Sequence, residues 1–108
     1  MTVSRALIAG GGIGGLAAAL AVSRHCPEVR VFERRDEFSE FGAGIQLGPN
    51  AFRALRALGL NEAVCGRAVL VDELRLMDGT TGRPLLRLPL KGSYVTRFRE
   101  PYAVVHRG

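Results

Sequence analysis

Five glycines in six residues, Gly10-Gly11-Gly12-Ile13-Gly14-Gly15, separate a short apolar run from a stretch rich in alanine and leucine. Glycine loses more conformational freedom on folding than any other residue. Such a cluster therefore belongs where the backbone must turn tightly or be approached closely. Ahead of it, Val3, Leu7, Ile8 and Ala9 form a mostly apolar run, the pattern of a buried parallel strand. Beyond it, Ile13, Leu16, Ala17, Leu20 and Ala21 recur at helical spacing. Alanine and leucine favour a helix from Ile13 to about His25, and small residues on its other faces predict close packing on several sides. Pro27 blocks continuation and pushes Cys26 out of helical geometry. Val29 to Glu33 then reads as a second strand, with Glu33 ending it. Strand, turn, helix and strand make one βαβ unit, whose crossover is expected to be right-handed.

Within that unit Gly10, Gly12 and Gly15 satisfy the pattern G-x-G-x-x-G. The pattern is weak alone, but it gains force between a strand and a helix. Gly10 permits the tight turn, Gly12 lets a pyrophosphate approach the backbone, and Gly15 lets helix and strand pack closely. The exposed N–H groups and positive end of the helix favour phosphates. Glu33, 18 residues past Gly15, can accept hydrogen bonds from ribose hydroxyls and would repel a 2′-phosphate. NADP is therefore disfavoured at this position. These residues imply a dinucleotide; NAD and FAD both carry the ADP half that such a unit binds.

After Glu33 the elements are smaller. Arg34 to Phe41 reads as a charged loop or irregular helical turn, and Gly44 to Leu47 as a short extended piece. Pro49 suits the first position of a helix, with Phe52, Leu55 and Leu58 on one face, Arg53 and Arg56 elsewhere, and Gly59 as its C-terminal cap. Leu74 to Met77 and Leu85 to Leu90 flank Asp78-Gly79-Thr80-Thr81-Gly82 as a hairpin with a longer loop. Tyr102 to Val105 is apolar again.

Composition narrows the function classes. The chain has 108 residues, 47% hydrophobic and 23% charged, an ordinary globular balance. No apolar run is long enough to span a bilayer, and the region before the glycines makes a poor secretory signal. A cytoplasmic protein that does not bind membranes is expected. Cys26 and Cys65 have no metal-type spacing and read as reduced thiols; His25 and His106 suggest no metal site. The net charge is +5, and every basic residue but Lys91 is arginine. The arginines are scattered, with no aromatic-basic motif, so anionic small ligands fit better than nucleic acid.

The segment Phe41-Gly42-Ala43-Gly44-Ile45-Gln46-Leu47-Gly48-Pro49-Asn50-Ala51 resembles one found in class A flavoprotein monooxygenases. Similarity is nearest to the salicylate hydroxylase, 3-hydroxybenzoate 6-hydroxylase and 6-hydroxynicotinate monooxygenase group. Ile8 to Leu16 and the ending Val105-His106-Arg107 are similar to the same group. The resemblance covers residues 3–60 and 101–108. It implies a Rossmann-like α/β fold and a noncovalent FAD reduced by NADH or NADPH. It further implies hydroxylation of a small aromatic acid by way of a flavin C4a-hydroperoxide. It places the cofactor on the turn residues Gly10, Gly12, Ile13, Gly14 and Gly15, on Glu33 at the ribose, and on Arg34 beside the adenine or ribose. Gln46 falls near the flavin and Arg107 at the phosphate–ribitol region, where a guanidinium pairs well with phosphate.

Other family parts, including its later Asp-Gly and Gly-Asp motifs and its substrate-binding sheet, are absent. Asp78-Gly79 reads as a hairpin turn instead. Residues 1–108 are therefore expected to be the N-terminal part of an FAD-binding domain: a βαβ unit with an added helix and hairpin. No catalytic residue is assigned within them. Apolar edges at Val29–Phe32 and Leu85–Leu90 predict self-association. Two alternatives stand beside this reading. One is another flavoprotein with the same N-terminal unit, such as a squalene-type epoxidase or geranylgeranyl reductase, against which the 42–51 segment counts. The other is a regulatory dinucleotide-binding module.

Overall fold

The computed structural model describes residues 2–38 and 44–106. The chain divides into two compact units, Met1–Glu40 and Phe41–Gly108.

The first unit is the βαβ element. Strand β1 (Arg5–Ala9) pairs in parallel with β2 (Glu28–Phe32), in register from Arg5 opposite Glu28 to Ala9 opposite Phe32. Helix α1 (Ile13–Val22) packs on both strands. Strand alternation explains the contact: Ala6 and Ile8 are half-buried, while Leu7 points away and is exposed. The elements differ from expectation at their ends. The first strand begins at Arg5 rather than Val3. Glu33 falls one residue past β2 rather than ending it. The helix stops at Val22 instead of His25, because the His25 and Cys26 amides both fold back to the Val22 carbonyl ahead of Pro27. Close packing on several sides is also corrected. None of the residues of α1 is fully buried, and Ile13, Leu16 and Leu20 are all exposed.

The second unit is built around a three-stranded antiparallel sheet. Its order is β3 (Ile45–Leu47), β7 (Ala103–Val105), β4 (Val69–Leu70), so the apolar run after Tyr102 becomes the central strand. Helix α2 (Pro49–Leu58) buries Phe52 completely, half-buries Leu55 and Leu58, and leaves Arg53 and Arg56 outside, as its periodicity predicts. It ends at Gly59 in the left-handed conformation, φ 77°, and the Leu60 N–H closes onto the Leu55 carbonyl at 2.8 Å. A short helix, α3 (Asn61–Cys65), follows, and another, α4 (Ser93–Phe98), precedes β7.

Strands β5 (Glu73–Met77) and β6 (Pro84–Pro89) form the expected antiparallel hairpin. In its loop the Asp78 carboxylate accepts the Thr80 and Thr81 amides. Pairing puts Leu74 opposite Leu88 and Leu76 opposite Leu86 on one face, and Arg75 opposite Arg87 on the other. All four leucines are exposed. Leu90, expected on the same apolar edge, is instead 2% exposed, its amide bonded to the Asp72 carbonyl.

Candidate dinucleotide site

The turn between β1 and α1 is shaped by what its glycines lack. Gly10 has φ 108°, a conformation that side chains rarely permit, and its amide extends the ladder to the Phe32 carbonyl at 2.7 Å. A Cβ on Gly15 would lie 1.8 Å from the Gly10 carbonyl oxygen, so helix and strand meet there without room for a methyl. Gly12 and Gly14 present the opposite situation: a Cβ on either meets nothing within 4 Å. The backbone is thus open on the side where a ligand would approach. Gly12 caps the helix with extended backbone, no side chain caps the first turn, and no acid stands in it. The amides of Ile13, Gly14 and Gly15 fall in that turn, where a helix has no internal acceptors. Open backbone, first-turn donors and the dipole end together fit a phosphate group.

Glu33 is brought directly to this turn. Its Oε2 accepts the Gly11 amide at 2.8 Å and its Oε1 accepts the Arg35 amide at 3.0 Å. The backbone donors of Arg35 and then Gly11 hold its carboxyl below the ordinary range, so it is an anion at neutral pH. Phe38 also lies close: a Cβ on Gly11 would stand 3.1 Å from its ring and from Glu33. Arg34 is exposed immediately after Glu33.

Gln46 belongs to the second unit, exposed on β3, where its Oε1 accepts the Tyr102 hydroxyl at 2.7 Å. Arg107 lies outside the described residues, as do Phe41-Gly42-Ala43 of the family-like segment. Two features escape a reading of the sequence: the Tyr102–Gln46 contact, since the two stand 56 positions apart, and the Gly11–Glu33 bond, for which residue spacing carries no signal. The second unit also holds a bidentate ion pair. Arg56 Nε and Nη2 each donate to Glu100 at 3.0 Å, tying α2 to the segment entering β7. Among the described residues no group of acids, histidines and cysteines could hold a metal ion, and no helix is long and apolar enough to cross a membrane.

Residues 8–58 match the NAD(P)-binding Rossmann-like domain family. The 3-hydroxybenzoate 6-hydroxylase of Polaromonas naphthalenivorans is 54% identical over 94% of this chain and 25% of its own length. The chain is a homologue of the 3-hydroxybenzoate 6-hydroxylases. It is also 35% identical to the 6-hydroxynicotinate 3-monooxygenase of Bordetella bronchiseptica, over 96% of the chain and 27% of that protein. The tetrameric form of 2-methyl-3-hydroxypyridine-5-carboxylic acid oxygenase superposes with a TM-score of 0.81 at 28% identity, covering 99% of this chain and 26% of that one. The chain spans about a quarter of the length of the hydroxylase relatives it matches. The Rossmann-like fold is therefore shared with monooxygenases, and the likeness runs through residues 61–100, which carry no diagnostic motif.

Proposed function

We propose that this stretch binds the ADP half of FAD within a flavin-dependent monooxygenase that hydroxylates a small aromatic acid. One observation carries the reading: a glycine turn open to a ligand at Gly12 and Gly14, with the Glu33 carboxylate beside it. The choice of FAD follows from chemistry. The relatives are named hydroxylases and monooxygenases, and insertion of an oxygen atom needs a group that reacts with dioxygen. A flavin supplies that chemistry and a nicotinamide does not. The dinucleotide form of a flavin is FAD, and NADH or NADPH is its proposed reductant.

Gly10, Gly12, Ile13, Gly14 and Gly15 would hold the pyrophosphate, Glu33 the adenosine ribose, and Arg34 the neighbourhood of the adenine. Gln46 and Arg107 would serve the flavin side. The relatives' names share a ring bearing both a carboxylate and a hydroxyl, which is the substrate class proposed for the whole protein. We place it in the cytoplasm, in keeping with the free thiols of Cys26 and Cys65. The exposed leucines of the hairpin support self-association.

Titration with FAD, ADP and 2′-phosphorylated ADP tests the reading. FAD and ADP should bind, and the 2′-phosphate should cost about tenfold through repulsion by Glu33. Equal affinity for the phosphorylated form would remove Glu33 from the ribose.

A further inference from the structure

We propose that Glu33 is a positioning residue for the glycine turn, holding it in its phosphate-accepting shape before any dinucleotide arrives. The inference deepens the proposed function and rests on it. The Glu33 carboxylate is an acceptor shared by two backbone segments: Gly11 within the turn and Arg35 beyond β2. Gly11 is buried, and its amide points at Glu33. Its neighbour Gly10 is fixed on the other side by the Phe32 carbonyl, the last position of the parallel ladder. The turn is therefore pinned at two successive amides to the end of β2. One pin is a backbone carbonyl and the other is a side chain that substitution can remove.

The geometry also divides the donors. The Gly11 amide is consumed by Glu33, so the groups left to face a phosphate are those of α1's first turn. A carboxylate offers about four lone-pair positions. Gly11 and Arg35 take two of them, the Arg34 amide adds a weaker contact, and the carboxylate keeps acceptor capacity for a ribose hydroxyl. Positioning the turn and reading the ribose are thus compatible uses of one side chain.

Electrostatics alone predicts the opposite outcome, which makes the proposal decidable. An anion beside a pyrophosphate site repels the ligand, so removing its charge would tighten binding. If Glu33 shapes the turn, removing it loosens binding even of a ligand that has no ribose. The probe is therefore inorganic pyrophosphate, with ADP in parallel, titrated into ligand-free wild-type protein, Glu33→Gln and Glu33→Ala. Backbone amide exchange of Gly11 is followed by NMR in the same samples. The glutamine keeps the side chain's shape but can offer an acceptor to only one of the two amides, and it carries the test should the alanine variant fold poorly.

Pyrophosphate affinity is expected to fall severalfold in Glu33→Gln and about tenfold in Glu33→Ala. Gly11 exchange should quicken by a similar factor in Glu33→Ala, while the Ile8 and Arg30 amides of the ladder hold their rates. Unchanged Gly11 exchange in both variants, or pyrophosphate affinity equal to or above wild type, overturns the proposal. Wild-type protein that binds neither pyrophosphate nor ADP would instead refute the dinucleotide reading. The exchange rates would still decide whether Glu33 holds the turn.

Discussion

At the scale of single residues, the glycine turn separates demands that the sequence presents together. Gly15 serves the fold: a methyl there would collide with the Gly10 carbonyl. Gly12 has φ −74° and ψ −178°, a conformation open to any residue, and free space where its side chain would stand. A valine at Gly12 should therefore fold normally while blocking a pyrophosphate. Gly12→Val is expected to keep the wild-type melting temperature within a few degrees and lose FAD binding outright. Gly15→Ala should lower both. Gly11→Ala should fall between these two variants, because the methyl stands 3.1 Å from Phe38 and from Glu33, whose carboxylate holds the Gly11 amide. A calorimetric scan and a flavin titration on the three variants check this; a Gly12→Val protein that retains full flavin would show that the turn does not hold phosphate. Gly10 and Gly15 were legible in the sequence because each answers a backbone requirement, a positive φ at one and a close approach at the other. The acceptor role of Glu33 toward Gly11 was not, since it depends on where the end of β2 meets the turn.

At the scale of elements, legibility followed length and periodicity. Helix α2 carries a clean apolar face, a proline start and a glycine stop, and it is found at Pro49–Leu58. The short helices α3 and α4 and the two-residue β4 offer too few turns or alternations for a period to register. Tertiary contacts fasten short pieces, and the Arg56–Glu100 pair does so for the segment entering the three-residue β7. Glu100 is 6% exposed, and hydrogen bonding from Arg56 holds its carboxyl below the ordinary value of 4.5. A carboxyl lowered in the folded state contributes stability that is complete above its unfolded value and fades as pH falls through the folded one. Melting temperature should therefore hold steady down to about pH 4.5 and decline below it. Glu100→Gln should melt lower at neutral pH and show a shallower acid decline, since Glu33 and Asp78, also lowered by backbone donors, remain to titrate. Identical acid limbs for the two proteins would mean that the pair contributes nothing.

At the scale of the whole molecule, the expected α/β character and the hairpin are present, and the apolar edge that the sequence places at Leu85–Leu90 extends in the structure to the facing leucines of β5. Alternation along β5 and β6 looks like an ordinary half-buried hairpin. Yet Leu74, Leu76, Leu86 and Leu88 are 37%, 59%, 59% and 46% exposed, a contiguous leucine face on a sheet of two strands. Two-stranded sheets are at best marginally stable alone in water, and an apolar face with open edges invites pairing with another strand. The 108-residue chain is therefore predicted to self-associate through this hairpin at micromolar concentration. Leu76 and Leu86 sit opposite one another at the centre of that face, so a lysine at either position places a charge where two copies would meet. Leu76→Lys and Leu86→Lys should each shift the chain toward monomer in size-exclusion chromatography with light scattering, and raising the salt should partly restore association of the variants by screening the charge. A wild-type chain that elutes as a monodisperse monomer would show that the leucine face is stable in water. Variants that associate as strongly as wild type would move the contact to the outer surface of the βαβ unit, where Leu7, Ile13 and Phe32 are exposed.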